Sequence, residues 1–148
     1  MKSLSRYLTY AGAIPFVFST ICLAMGINQF PIMGDIDHFL SMYALIIASF
    51  MCGSHWGQHL HLEGKWRLSL SIYSNAMAIT LWVLTIFQHS FILYMMGVSV
   101  IFLLLLKIDY FLMIDKLVAK DYFQVRCIVT GIVVISLLST ILISAKSM

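Results

Sequence analysis

Long apolar stretches separated by short polar segments run through the chain from one end to the other. Five of them reach the roughly 20 residues that a helix needs to cross a hydrocarbon core about 30 Å thick. They cover approximately residues 7–27, 38–57, 68–88, 91–110 and 127–144. This pattern predicts an all-α fold in which five transmembrane helices pack as a bundle and form one domain over residues 1–148.

Composition supports the same interpretation. Hydrophobic residues make up 61% of the 148-residue chain and charged residues only 10%, against about a quarter charged in soluble domains. The formal net charge of +3 is small, which removes the main support for nucleic-acid binding. The expected partner is therefore the lipid bilayer, with other membrane subunits or self-association as further options.

The distribution of positive charge predicts the orientation. Lys and Arg precede the first span or lie between the second and third and between the fourth and fifth: Lys2, Arg6, Lys65, Arg67, Lys116, Lys120 and Arg126. Because positive loops stay on the cytoplasmic side, the N-terminus is expected inside and the C-terminus outside. Lys146 is the exception, and the first span is interpreted as a retained anchor rather than a signal peptide.

Two of the spans carry features that affect helix geometry. Gly12 and Pro15 in the first span predict a kink, because proline removes a helical hydrogen bond. In the second span, Gly53 and Gly57 lie on one face, where small residues allow a neighbouring helix to approach closely. The opposite face is expected to carry a polar stripe that faces into the bundle or towards a partner.

Ionisable residues gather at the inner ends of the second to fifth spans. Asp109 is too short to reach the headgroups, so it requires a partner such as Arg126, Arg67, His55 or water. A compact bundle would bring these groups together in the cytoplasmic leaflet. The predicted polar or ligand-binding cluster consists of His55, Trp56, Arg67, Asp109, Tyr122 and Arg126.

A metal site is an alternative use of the second span. Cys52, His55 and His59 lie on one helical stripe, and thiolate with imidazole suits zinc or copper(I). Haem ligation by His38 and His89 is a further alternative. Interfacial histidines that are simply hydrogen-bonded or hydrated are the competing interpretation, and a lipid or quinone is the favoured ligand.

The residues also carry a resemblance to a known family. The motifs are Gly12-Ala13-Ile14-Pro15-Phe16, Gly53-Ser54-His55-Trp56-Gly57, Ser71, Asp109, and Tyr122 with Arg126. In order and spacing they resemble the small membrane proteins related to transmembrane protein 69. That resemblance implies a multi-pass protein of the bacterial inner (plasma) membrane, or of the mitochondrial inner membrane in a eukaryote, and supplies no reaction. Ser74-Asn75 departs from the family's Pro-Ser pair, which puts a kink in the third span in doubt.

These observations favour an accessory or assembly protein that binds a lipid or quinone through an inner-leaflet pocket lined by His55, Trp56, Asp109 and Arg126. The alternative is a proton- or ion-coupled transport component that uses His55 and Asp109. A purely structural cluster that ties the helix ends together is also open. Catalytic residues are not assigned, because the chain lacks nucleophile-elbow, phosphate-loop and zinc-protease motifs.

Overall fold

A computed structural model describes residues 3–32 and 34–147. In chain order the helices and strands are α1 (Ser3–Ala11), α2 (Ile14–Ala24), β1 (Gln29–Phe30), β2 (Gly34–Asp35), α3 (Ile36–His59), α4 (Lys65–Thr85), α5 (Phe91–Ile114) and α6 (Lys120–Ser147). The two short strands pair antiparallel in the loop between α2 and α3. The architecture is otherwise helical.

The predicted membrane helix bundle is confirmed. Within the described part of the chain, five helical segments are long and apolar enough to cross a membrane: Arg6–Ala24, Ile36–His59, Lys65–Thr85, Phe91–Ile114 and Lys120–Lys146. The orientation remains a prediction, and Lys2, on which it partly rests, lies outside the described residues. We refer to the end of the bundle that holds the α3–α4 and α5–α6 connections as the inner end.

The largest difference from the predicted spans is at the inner end. Helix α5 continues to Ile114 and α6 begins at Lys120, earlier than the predicted start near residue 127. The segment 113–123 consists of the two helix ends and a turn over residues 115–119, so Tyr122 and Arg126 lie within α6.

The first span is interrupted where the sequence predicts a kink. Helix α1 ends at Ala11, Gly12 and Ala13 form a turn, and α2 restarts with Pro15 in its first turn. A backbone carbonyl released from a helix within a membrane needs another donor. The Tyr43 hydroxyl on α3 donates to the Gly12 carbonyl oxygen at 3.0 Å, which satisfies it.

The five spans pack in a closed order. Helix α2 contacts α3 and α6, α4 contacts α3 and α5, and α5 contacts α6, while α3 and α5 also meet across the middle. The buried core between them is largely apolar and includes Phe16, Leu40, Ala44, Tyr94, Leu105 and Leu137. Helices α3, α5 and α6 therefore converge, which sets the position of the polar cluster.

The closest helix approach made by a glycine lies at a different place from the one predicted. A Cβ atom added at Gly97 on α5 would lie 2.6 Å from a Leu84 methyl carbon at the end of α4, whereas one added at Gly53 or Gly57 would meet nothing within 4 Å. Close packing at Gly53 and Gly57 is therefore not realised among the described residues. The reason is that α3 turns its His55 face into the bundle and this glycine face outwards.

Candidate functional site

Three ionisable side chains from three helices meet inside the bundle. His55 Nε2 on α3 lies 2.8 Å from Asp109 Oδ1 on α5, and Arg126 Nε on α6 donates to Asp109 Oδ2, also at 2.8 Å. His55 and Asp109 are fully buried and Arg126 is 6% exposed. Two of the partners expected for Asp109, Arg126 and His55, therefore both contact it, and we call this three-residue network the buried triad.

The local sequence explains why His55, Asp109 and Arg126 lie on the buried sides of their helices. On α3, Ser41, Ala48, Cys52 and His55 fall on the buried side, as the helical period predicts. On α5 and α6, the turn over residues 115–119 reverses the chain, helped by Lys116 in the left-handed region at φ 59°. Arg126 then lies between one and two turns into α6, close to the level of Asp109.

Charge compensation within the buried triad is close to complete. The Arg126 guanidinium pairs with the Asp109 carboxylate, so His55 can be neutral and donate its Nε2 proton to the second carboxylate oxygen. Arg126 Nη1 also contacts the sulfur of Met51 at 3.1 Å. Among the described residues, His55 Nδ1 and Arg126 Nη2 have no hydrogen-bond partner, so two donor or acceptor positions remain available to a small polar group.

The other members of the predicted cluster are distributed differently. Tyr122 is half-buried beside the triad, and its side chain lies near that of Gln58. Trp56 is 46% exposed and its ring meets His59 edge-on, with the centroids 5.0 Å apart. Arg67 is exposed on α4. Trp56 and Arg67 thus lie outside the triad, because their positions on α3 and α4 point away from the α3–α5–α6 contact.

The candidate metal ligands are not brought together. No group of three His, Cys, Asp or Glu side chains that could hold a metal ion occurs within residues 3–32 and 34–147. His55 uses its Nε2 atom on Asp109, while the His59 ring contacts the Trp56 carbonyl oxygen one turn before it. The candidate haem ligands, His38 and His89, are both exposed towards the other end of the bundle.

A groove lies between α4 and α5 near the inner end. Its volume is about 360 Å³, and it is lined by Lys65, Trp66, Ser69, Tyr73, Met77, Leu104, Lys107, Ile108 and Phe111. The first turns of α4 and the last turns of α5 supply two lysines, an indole and a hydroxyl. Further along, Met77 and Leu104 make the wall apolar. The α4–α5 groove therefore has one polar, cationic end and one apolar end.

The polar end of this groove is organised by Asp115, in the turn after α5. Its Oδ2 atom accepts a hydrogen bond from Trp66 Nε1 and lies 3.3 Å from Lys65 Nζ. Hydrogen bonding from Trp66, followed by that from Lys65, lowers the pKa of Asp115. Asp115 therefore stays ionised at neutral pH and tethers the start of α4 to the end of α5.

The buried triad and the α4–α5 groove use opposite faces of α5. With about 100° per residue, Asp109 lies roughly 150° around the helix from the middle of the stripe formed by Leu104, Lys107, Ile108 and Phe111. Asp109 is among the site residues predicted from the sequence, whereas Lys107 is not. The spacing of Lys107 and Phe111, one turn apart on a helix that ends nearby, was the available signal for the groove.

A larger depression, of about 530 Å³, lies at the opposite end of the bundle. It is lined by Leu23, Gly26, Asn28, Asp35, Asp37, His38, Ser41, Gln88, Phe91, Ile143 and Ser144. Its acidic residues belong to the α2–α3 loop and the first turn of α3, where Gln29 Nε2 donates to Asp35 Oδ1 at 2.9 Å. This depression is far more polar than the α4–α5 groove.

Comparison with known families gives one match that covers almost the whole chain. A family described as "Protein of unknown function (DUF3429)" matches residues 1–142. The chain belongs to this family. The match agrees with the expected uncharacterised family of membrane proteins, while the kinship with transmembrane protein 69 stays an expectation. Comparison with curated proteins and with solved structures gives no match.

Proposed function

We propose that this DUF3429 protein is an accessory membrane protein that binds a lipid-class amphipathic molecule in the α4–α5 groove. The observation that carries the proposal is the division of the groove into a cationic, hydrogen-bonding end and an apolar end. An amphipathic ligand needs a cationic, hydrogen-bonding end for its head near the membrane surface and an apolar end for its chains deeper in the bilayer. The groove also faces the surroundings of the bundle, so a ligand can enter from the bilayer.

The buried triad supports this function from a distance. Its three side chains are buried between α3, α5 and α6. In this proposal the triad holds α5 against α3 and α6, and so keeps the wall of the groove in place. Polar contacts between membrane helices often have such a role, with energies of about 0.6–2 kcal/mol each.

Filling the apolar end of the groove tests the proposal. The substitution Met77→Trp adds volume beside Tyr73 and Leu104, whereas Met96→Trp places the same side chain on the exposed side of α5, where Met96 is 52% exposed. Native mass spectrometry of gently purified protein is expected to show about one bound lipid-class molecule. That molecule should be lost in Met77→Trp and retained in Met96→Trp. No bound molecule in the unsubstituted protein would contradict the proposal.

A second candidate function is proton-coupled transport through the buried triad. It is favoured by one observation: His55 Nδ1 and Arg126 Nη2 are buried and have no partner among the described residues, so a water could join His55 to a path. The test is pH-driven flux in proteoliposomes. Transport requires that His55→Gln abolish the flux while Met96→Trp preserves it, and equal flux in both variants would rule this function out.

A further inference from the structure

We infer that the ligand of the α4–α5 groove is an anionic glycerophospholipid whose phosphate is bound by Lys107. This inference rests on the proposed function and specifies the class of molecule that the groove takes. Two positive side chains line the groove. The Asp115 carboxylate at its polar end pairs with Lys65 and leaves Lys107 without a counter-charge. Charge complementarity therefore selects an anionic head, and the apolar end selects a ligand with acyl chains.

Lys107 is the cation best placed for a phosphate. It is exposed on α5 and its Nζ atom lies 6.0 Å from the centre of the Phe111 ring. Among the described residues it forms no salt bridge, unlike Lys65. It precedes the end of α5 at Ile114 by about two turns, or roughly 10 Å along the axis, so its ammonium group lies close to the inner end of the bundle.

The first turn of α4 supplies the second half of the site. Lys65 and Trp66 line the groove there, and Gly64 gives the helix no side-chain cap, so its first backbone N–H groups lack intrahelical partners. Both side chains are now held by Asp115. A phosphate bound at Lys107 would also contact Lys65. The Asp115 carboxylate therefore competes with the phosphate for the Lys65 ammonium group.

The same chemistry distinguishes a phospholipid from other amphipathic molecules. A neutral quinone head offers carbonyl oxygens, which a hydroxyl or an indole N–H satisfies, and leaves the Lys107 ammonium group uncompensated. Free phosphate would use the cationic end and leave the wall at Met77 and Leu104 without a ligand. Anionic phospholipid also fits the predicted orientation, because the cytoplasmic leaflet carries the anionic lipids.

The experiment measures binding of defined lipids to delipidated protein by native mass spectrometry. The probes are phosphatidylglycerol and phosphatidylcholine with identical acyl chains, decylubiquinone, and inorganic phosphate alone. The unsubstituted protein is expected to prefer phosphatidylglycerol over phosphatidylcholine roughly five- to tenfold. Lys107→Gln should remove that preference without weakening phosphatidylcholine binding, and Lys107→Arg should retain it.

Two further variants sharpen the result. Lys120→Gln removes an exposed lysine at the same end of the bundle, at the start of α6 and outside the groove, and should leave the preference unchanged. Asp115→Asn removes the competing carboxylate and should increase the affinity for phosphatidylglycerol. A general surface-charge effect would instead make Lys120→Gln and Lys107→Gln equivalent, which would overturn the inference.

The remaining outcomes separate the inference from the function on which it rests. Lipid that binds without headgroup preference, and is lost in Met77→Trp, would overturn the anionic assignment and keep the proposed function. Decylubiquinone that displaces phosphatidylglycerol from the unsubstituted protein would assign the groove to quinones. Inorganic phosphate that binds as tightly as the phospholipid would show that the acyl chains contribute nothing. Absence of any lipid on the unsubstituted protein would remove both proposals.

Discussion

Asp109 is the residue on which the interior of the bundle depends most directly. It accepts hydrogen bonds from two helices other than its own, through His55 and Arg126, and it is fully buried. A carboxylate at this depth is unfavourable without such partners. The three side chains are therefore coupled, and the effect of changing one depends on whether its partners are still present.

Removal of one member of the buried triad should be more harmful than removal of two. Asp109→Leu leaves the Arg126 charge buried without compensation and is expected to destabilise the protein by about 3–5 kcal/mol. The double variant Asp109→Leu, Arg126→Met should recover a large part of that loss. Unfolding in detergent measured for both single variants and the double variant checks the coupling. Strictly additive losses would mean that the two residues do not interact.

At the scale of helices, two contacts determine how α4 sits against α5. One is the close approach of Gly97 to Leu84 near the α4–α5 connection. The other is the tether at the inner end, where Asp115 binds Trp66 and Lys65. The groove lies between these two contacts, so both influence its width.

A side chain at position 97 should displace the Leu84 side chain. Gly97→Ala places a carbon within 3 Å of two Leu84 methyl groups, and because Leu84 can rotate, the cost is expected at the low end of the about 1–3 kcal/mol typical of overpacking, which cancels the gain of about 1 kcal/mol from the helix propensity of alanine. Leu84→Ala in the same protein should relieve the clash. Gly53→Ala is the matched control, because the added Cβ meets nothing within 4 Å and alanine favours the helix. Thermal unfolding of the variants in detergent measures both effects.

The inner tether should be insensitive to pH across the neutral range. Because Trp66 and Lys65 lower the pKa of Asp115, the contact is fully formed above the usual pKa of an aspartate and is lost only as pH falls through the lowered value. Trp66 fluorescence, obtained by subtracting the Trp66→Phe spectrum, should thus be constant from about pH 5 to 8. A transition near neutrality would show that another group controls the contact. If that transition persisted in Asp115→Asn, Asp115 would be excluded as the titrating group.

At the scale of the whole molecule, the bundle places a cationic groove at one end and an acidic depression at the other. Most positive residues of the described chain lie at the inner end, in the first turns of α4 and α6, in the α5–α6 turn and on α1. Arg6 on α1 and Asp121 on α6 form an exposed ion pair there, at 3.1 Å. This asymmetry is the basis of the predicted orientation.

Single cysteines at the two ends test that orientation. In a variant without Cys22, Cys52 and Cys127, Lys116→Cys in the α5–α6 turn should react with an impermeant maleimide only after the membrane is opened. Gln88→Cys in the α4–α5 connection should react in intact cells. Both residues lie in connections between spans, so the labelling reports topology. The reversed pattern would invert the orientation and place the groove in the outer leaflet.

The class of structure, the number of spans and the need of a buried Asp109 for a polar partner follow from the amino-acid sequence alone. These follow from local physics: helix length against bilayer thickness, and the high free energy of an unpaired carboxylate in lipid. The interruption at Gly12 and Pro15 is equally local, because it depends on proline's missing N–H.

Which residues face each other depends on how the helices pack in three dimensions. This packing selected Arg126 and His55 as the partners of Asp109, excluded Trp56 and Arg67, and turned the Gly53 face outwards. It also joined Lys107 to Trp66, from different helices, in one groove. A helical period gives the relative angles of residues on one helix and not the rotation of that helix against its neighbours. That rotation is set by packing among α3, α5 and α6, and it decides where a ligand can bind.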